Sequence, residues 1–248
     1  MTPNPIRKVL FTLTRHDVKY LLMGGQACVF YGAAEFSRDT NVALLASSDN
    51  LDRLAGAMRE LKAEIVAVPT LGLDHLKRGH AVHFRCRHPE ADGMRLDVMS
   101  VMRGLPEFSA LWERRTTAQF GDVTVEIMAL PDLVQAKKTQ RDKDWPMIRR
   151  LVEANWFQFR DEPNEERVAF WLAEARTPGL LREIASEFPQ AVEKAAGKRG
   201  VLRSIATATD DQLSEALAEE ERRERAADRE YWKPLRKELE QFRHDLLP

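Results

Sequence analysis

The apolar run Tyr20 to Met23 ends in Gly24 and Gly25, the first residues of this 248-residue chain whose type and spacing suit chemistry. Glycine lacks the Cβ that keeps a phosphate at a distance, and a helix beginning there would offer free N–H groups. The same pair serves equally as a tight strand-to-helix turn that needs glycine for its backbone. Further on, Arg38, Asp39, Thr40, Asn41, Val42 and Ala43 lead into a second apolar strand, and Asp97 sits on the later segment Arg95 to Met99. Side chains two apart on a strand share a face, so Asp39, Asn41 and Ala43 would project together, with Asp97 joining them from a neighbouring strand. Grouped in this way, Asp39, Asn41 and Asp97 are candidate metal ligands. Read separately, Asp39 is a turn acid or the ion-pair partner of Arg38, and Asp97 belongs to a buried hydrogen-bond network. The planar fork of Arg38 would alternatively neutralise phosphate oxygens. Lys137, Lys138, Arg141, Lys143 and Asp144 fall on a predicted helix where positions 137, 141 and 144 share roughly one face. That basic face would meet a triphosphate or simply face solvent.

The elements that must hold these residues alternate between the two periods. Asn4 to Arg15 spaces Ile6, Val9, Leu10 and Leu13 as a helix, with Asn4 and Pro5 as start signals. Tyr20 to Met23, glycine turn, then Gln26 to Tyr31 closed by Gly32 reads as strand, turn, helix. Asn41 to Ala46 is a further strand, and Ser47, Ser48 and Asp49 cap a helix carrying Leu51, Leu54, Ala55, Met58 and Leu61. Glu64 to Val68, Ala81 to Arg87, Met94 to Met99 and Val123 to Met128 are strands, the second and third forming a hairpin around the turn His88 to Gly93. In that hairpin His83 and Arg85 would line the cleft near Asp97, with His83 as a candidate general base. After Pro131 only helical spacing remains. The expectation is an α/β domain over residues 1–155 and a charged helical domain over residues 156–248. In the second, Phe170, Trp171, Leu180, Leu181, Ile184, Tyr231, Trp232, Leu235, Leu239 and Phe242 recur at helical intervals.

Taken together, "LLMGGQACVFYG", "SRDTNVALL", "RLDVMS" and "LPDLVQAKKTQRDKDW" resemble the nucleotidyltransferase superfamily over residues 18–153, and look closest to its AbiEii-like toxin and related uncharacterised groups. The resemblance implies a nucleotidyltransferase-like mixed sheet flanked by helices, with an all-helical C-terminal region. It implies Mg²⁺ as cofactor, two ions bridged by carboxylates aligning an attacking hydroxyl with the α-phosphate of a nucleoside triphosphate. Carried over by position, Asp39, Asn41 and Asp97 hold metal, Gly24 and Gly25 cradle phosphate, and Lys137 and Arg141 contact the triphosphate. The acceptor would be an RNA, tRNA being frequent among the resembled toxins, or a protein. The chain departs from the family pattern at Asn41, an amide in register with a paired acid; in the other register, Asn41 and Ala43 replace both acids. An amide oxygen can ligate Mg²⁺ but adds no charge. Two functions therefore stand open: a nucleotidyltransferase with a degenerate metal site, and a catalytically inactive binding or regulatory module of the same fold.

Other classes lack their residues. There is no Gly-x-Ser-x-Gly, no eight-residue phosphate loop and no dinucleotide fingerprint. His80, His83, Cys86 and His88 match no standard zinc spacing. A net charge of −1 confines any nucleic-acid contact to a local basic patch. Two cysteines are too few for a disulfide framework, and Arg15, His16 and Asp17 interrupt any leader-like apolar run. No apolar stretch approaches the roughly 20 residues that span a bilayer. A soluble cytoplasmic protein with no membrane contact is expected, and the helical tail, with Trp171, Tyr231 and Trp232, is either packed on its own chain or the interface for a partner protein.

Overall fold

The structure is a computed structural model and describes residues 4–121 and 123–245. Helix α1 (Pro5–Arg15) begins at Asn4, whose side chain accepts a hydrogen bond from the Arg7 amide. Pro5 occupies the first turn, where its missing N–H costs nothing. Val9, Leu10 and Leu13 are fully buried along one face of this helix, each worth about 1.5–3 kcal/mol of transfer free energy. Strand β1 (Tyr20–Met23) is buried at all four positions and passes directly into the short helix α2 (Gly24–Phe30). Strand β2 (Asp39–Leu44) and helix α3 (Ser48–Glu60) follow, with the Ser47 hydroxyl accepting from the Asn50 amide as N-cap.

Next come β3 (Glu64–Ile65), α4 (Leu73–Arg78), β4 (Val82–Arg85), β5 (Arg95–Met99), α5 (Phe108–Glu113), β6 (Thr116–Phe120), β7 (Val123–Ile127) and α6 (Leu130–Ala136). The strands form one seven-stranded sheet in the order β3-β4-β5-β2-β1-β7-β6. It is mixed: β1 pairs with β7 and β2 with β5 in parallel, and the remaining pairs are antiparallel. The expected hairpin is present as β4 and β5. Strand β3 is shorter than the spacing predicts, and Pro69, which cannot donate to a ladder, follows closely. Strand β6 escapes sequence reading because Thr116 to Phe120 lies at the sheet edge and buries no apolar face that would show as alternation.

The remaining helices are α7 (Asp144–Phe159), α8 (Glu165–Glu174), α9 (Pro178–Glu187), α10 (Pro189–Ala196) and α11 (Asp210–Asp245), with a 3₁₀ turn at Gly200–Ser204. The α/β sheet region followed by helices alone is the expected architecture. By contacts the chain divides into two compact units. One holds the residues up to Phe30, from Glu35 to Ala136 and from Tyr231 onward; the other holds Tyr31–Ala34 and Lys137–Glu230. In the second unit Trp156 and Trp171 are fully buried and meet edge to face at 4.8 Å, so Trp171 is a core residue rather than an exposed anchor. Part of the charge that α11 carries within this unit is paired. Glu220 accepts from Arg199 and Arg176, Arg225 pairs with Glu221 and Asp142, and Arg199 also caps the carbonyls of Leu172 and Ala175. Among the described residues no helix is long and apolar enough to cross a membrane.

Candidate active site

Pairing across the sheet sets the site. Met23 lies opposite Asn41, Asn41 opposite Asp97, and Asp97 opposite His83, giving one row across β1, β2, β5 and β4. Asp39, Arg95 and Arg85 form the next row on the same face. Half-buried Asp39 and Asn41 alternate with buried Thr40 and Val42, and half-buried Arg95 and Asp97 with buried Leu96 and Val98. The three residues read from their spacing thus do share a face.

Their electrostatics differ from those of a metal centre. Asp97 Oδ1 accepts from His83 Nδ1 at 2.7 Å and from Arg95 Nε at 2.9 Å, while Arg95 Nη2 lies 3.3 Å from the same histidine nitrogen. Burial raises the Asp97 pKa, but the hydrogen bonds and charges of His83 and Arg95 outweigh it and hold the carboxyl below its ordinary value. A guanidinium touching the carboxylate repels an incoming cation and already shares its Oδ1 with His83. His83 near Asp97 follows from the hairpin. Arg95 was not singled out from sequence, and its only signal is its place two residues before Asp97 on the same strand face.

The glycine turn is filled by the chain itself. Gly24 opens α2 at φ +68°, and a Cβ there would meet Asn41 Nδ2 at 2.8 Å and its Cβ and Cγ at 2.9 Å. A Cβ on Gly25 would collide with Ser37, whose hydroxyl donates to the Asp39 carbonyl at 3.1 Å. The buried Gln26 ties the same segment down by donating from Nε2 to the Ser37 carbonyl at 2.9 Å. Arg38 is exposed, and no hydrogen bond or ion pair joins it to Asp39 among the described residues.

A divalent-metal centre can be tested against these residues. Among the described residues no three His, Cys, Asp or Glu side chains converge as a metal site. The face offers two carboxylates, one already held by two cationic or donor groups, and a neutral amide packed on glycine. These residues do not fit a two-metal Mg²⁺ centre, which depends on anionic oxygen ligands.

Lys137 and Arg141 belong to the second unit. The predicted helix over 137–144 is not formed: α6 ends at Ala136, α7 begins at Asp144, and a turn connects them. The reason is the Asp144 carboxylate, which gathers Lys137 Nζ at 3.4 Å, Thr139 Oγ1 at 2.6 Å and Arg141 Nε at 2.7 Å. Trp145 Nε1 donates to the Thr139 carbonyl, and Lys138 pairs with Glu174. Side chains that bond the backbone and each other in this way compete with helix. Lys137 is buried, so its charge serves Asp144.

No protein-family model and no curated protein matches the chain. Among solved structures it is similar to an antigenic nucleotidyltransferase-like protein from Paracoccidioides brasiliensis, at 14% identity and a TM-score of 0.43, with 83% of this chain and 92% of that chain covered.

Proposed function

We propose that this chain is a nucleotidyltransferase-like binding or regulatory module that does not carry out two-metal nucleotidyl transfer. One observation carries the reading: the Asp97 carboxylate is committed to His83 and Arg95, while Asn41, opposite it, packs on Gly24. Transfer needs carboxylates that bridge cations and so neutralise charge developing on the phosphate. Here guanidinium and imidazole groups are bonded to the one carboxylate on β5, so its charge is spent within the protein. Calorimetric titration of the four nucleoside triphosphates, with and without Mg²⁺, tests this together with a pyrophosphate-release assay. The expected outcome is no Mg²⁺-dependent gain in binding and no pyrophosphate. Mg²⁺-dependent binding or release that disappears in Asp97→Asn overturns the reading.

The register of β2 on β5 favours one competing reading, because Asp39, Asn41 and Asp97 do lie on one face beside Gly24 and Gly25. In that case the chain binds a nucleoside triphosphate with Mg²⁺ and transfers a nucleotidyl group to an RNA such as tRNA, or to a protein. Arg38, exposed beside Asp39, would then contact phosphate. Pyrophosphate release in the presence of a total tRNA or protein acceptor decides for it.

A further inference from the structure

A second concave site lies at the other end of β1. The cavity, about 540 Å³, is walled by the turn after α1, the start of β1, Arg53 of α3, the end of α5 and the outer half of β7. Tyr20 lines it, whereas Met23, three residues on, belongs to the row of Asn41 and Asp97; the two sites are thus roughly 10 Å apart along the strand. The volume falls within the roughly 300–1,000 Å³ of small-molecule sites.

The lining is cationic and its carboxylates are unequal in use. Lys19, Arg53 and Arg115 face it against Asp17 and Glu126. Glu126 is engaged through one oxygen, Arg115 Nε donating to its Oε2 at 2.8 Å and Thr117 Oγ1 to the same oxygen at 2.7 Å. Arg115 is held in place further by donating from Nη1 to the Trp112 carbonyl at 2.7 Å, with its guanidinium 4.2 Å from that ring's centroid. The Lys19 ammonium rests 4.8 Å from the same ring, and no carboxylate pairs with it among the described residues. Arg53 spends one N–H on the Asp17 carbonyl at 3.2 Å. Asp17 itself sits in the turn at φ +52°, a conformation that presents its carbonyl to Arg53. Burial pushes the Tyr20 hydroxyl up to about 12, so it stays protonated, 3.4 Å from Thr14 Oγ1. Indole-backed cations with spare N–H groups around a donor-lined hollow match the oxygens of a phosphate, and the remaining volume exceeds what the anion alone needs.

We propose that this cavity binds a small phosphate monoester, with Lys19 and Arg53 taking the phosphate oxygens and Arg115 and Trp112 forming the fixed wall. The test is calorimetric titration of the full chain with inorganic phosphate, glucose 6-phosphate and AMP, using glucose and adenosine as uncharged controls. At least one ester binds and its uncharged counterpart does not. Lys19→Met and Arg53→Gln each weaken that binding about tenfold, the loss expected for one charge-assisted contact. Arg59→Gln, an exposed change on α3 outside the cavity, leaves it intact. Tighter binding of AMP than of glucose 6-phosphate identifies a nucleotide as the source of the ester; the reverse order identifies a sugar phosphate. Failure of both esters to bind, binding unchanged in both cavity variants, or inorganic phosphate binding as tightly as either ester overturns the proposal. Both cavity positions are solvent-exposed, so folding of the variants, checked by circular dichroism, is retained.

Discussion

Replacing Asp97 by alanine separates a structural clamp from a metal ligand, because the two roles predict opposite signs. In the clamp, the carboxylate receives hydrogen bonds of 2.7 Å and 2.9 Å from two groups that carry or can carry positive charge. Hydrogen bonds to charged groups contribute about 1.5–3 kcal/mol each. The donors are partly solvated, His83 at 28% and Arg95 at 41% exposure, and share one acceptor oxygen, so their contributions do not add in full. A loss of about 2–3 kcal/mol results, aggravated by leaving Arg95 and His83 facing each other at 3.3 Å. For a chain of this length that lowers the thermal midpoint by roughly 5–10 °C. Were Asp97 one of several carboxylates assembled for a cation, its removal in EDTA would relieve like-charge repulsion and leave the midpoint unchanged or higher. Differential scanning fluorimetry of native chain and Asp97→Ala in EDTA is sufficient, and a midpoint at or above the native value refutes the clamp. The sign with pH is also fixed. The folded pKa of Asp97 is depressed, so the stabilisation is complete above the ordinary aspartate value of 3.8 and is lost as pH falls through the lower folded value.

Two further perturbations follow from the same geometry. Gly24→Ala is expected to cost about 2–3 kcal/mol in urea unfolding, combining a positive φ with a Cβ placed 2.8 Å from Asn41 Nδ2. In a double-mutant cycle with Asn41→Ala part of that cost returns, about 1 kcal/mol of coupling, and a strictly additive pair would show that Asn41 does not fill the turn. Glu60 supplies a pH test. Burial raises its pKa, but hydrogen bonds from His16 and Lys8 and the charges of Lys8 and Arg15 prevail and bring it from 4.5 to about 2. That corresponds to at most about 3 kcal/mol, reduced to about 1–2 kcal/mol by screening at a side chain 19% exposed and facing a half-exposed Arg15. The folded pKa is lowered, so native chain exceeds Glu60→Gln by this amount at pH 7 and the gap closes as pH falls to about 2. A gap that persists undiminished at about pH 2 contradicts the linkage.

What could be read in advance was whatever depends on period and on caps. The alternation in Asp39 to Leu44 and Arg95 to Met99, and the cap at Asn4, are local properties of a few adjacent residues, and each element formed. The common face of Asp39, Asn41 and Asp97 followed from side-chain period alone once β5 lay beside β2. What could not be read was which neighbour each polar group would choose. Arg95 was invisible because its role needs the pleat and the partner strand together, whereas Asp144 defeated the helix over 137–144 by recruiting Lys137, Thr139 and Arg141 at once. The cavity at Tyr20 drew on residues from Thr14 to Glu126 and had no sequence motif at all. The consequence for function is specific. A motif states which side chains reach a face, and the hydrogen bonds on that face decide whether a carboxylate is left to bind anything. At Asp97 one oxygen holds both His83 and Arg95. A cation that binds this carboxylate approaches against the guanidinium held 2.9 Å from Oδ1, and an anion that binds Arg95 competes with Asp97 for it, so the pair is closed to ligands of either sign unless it opens.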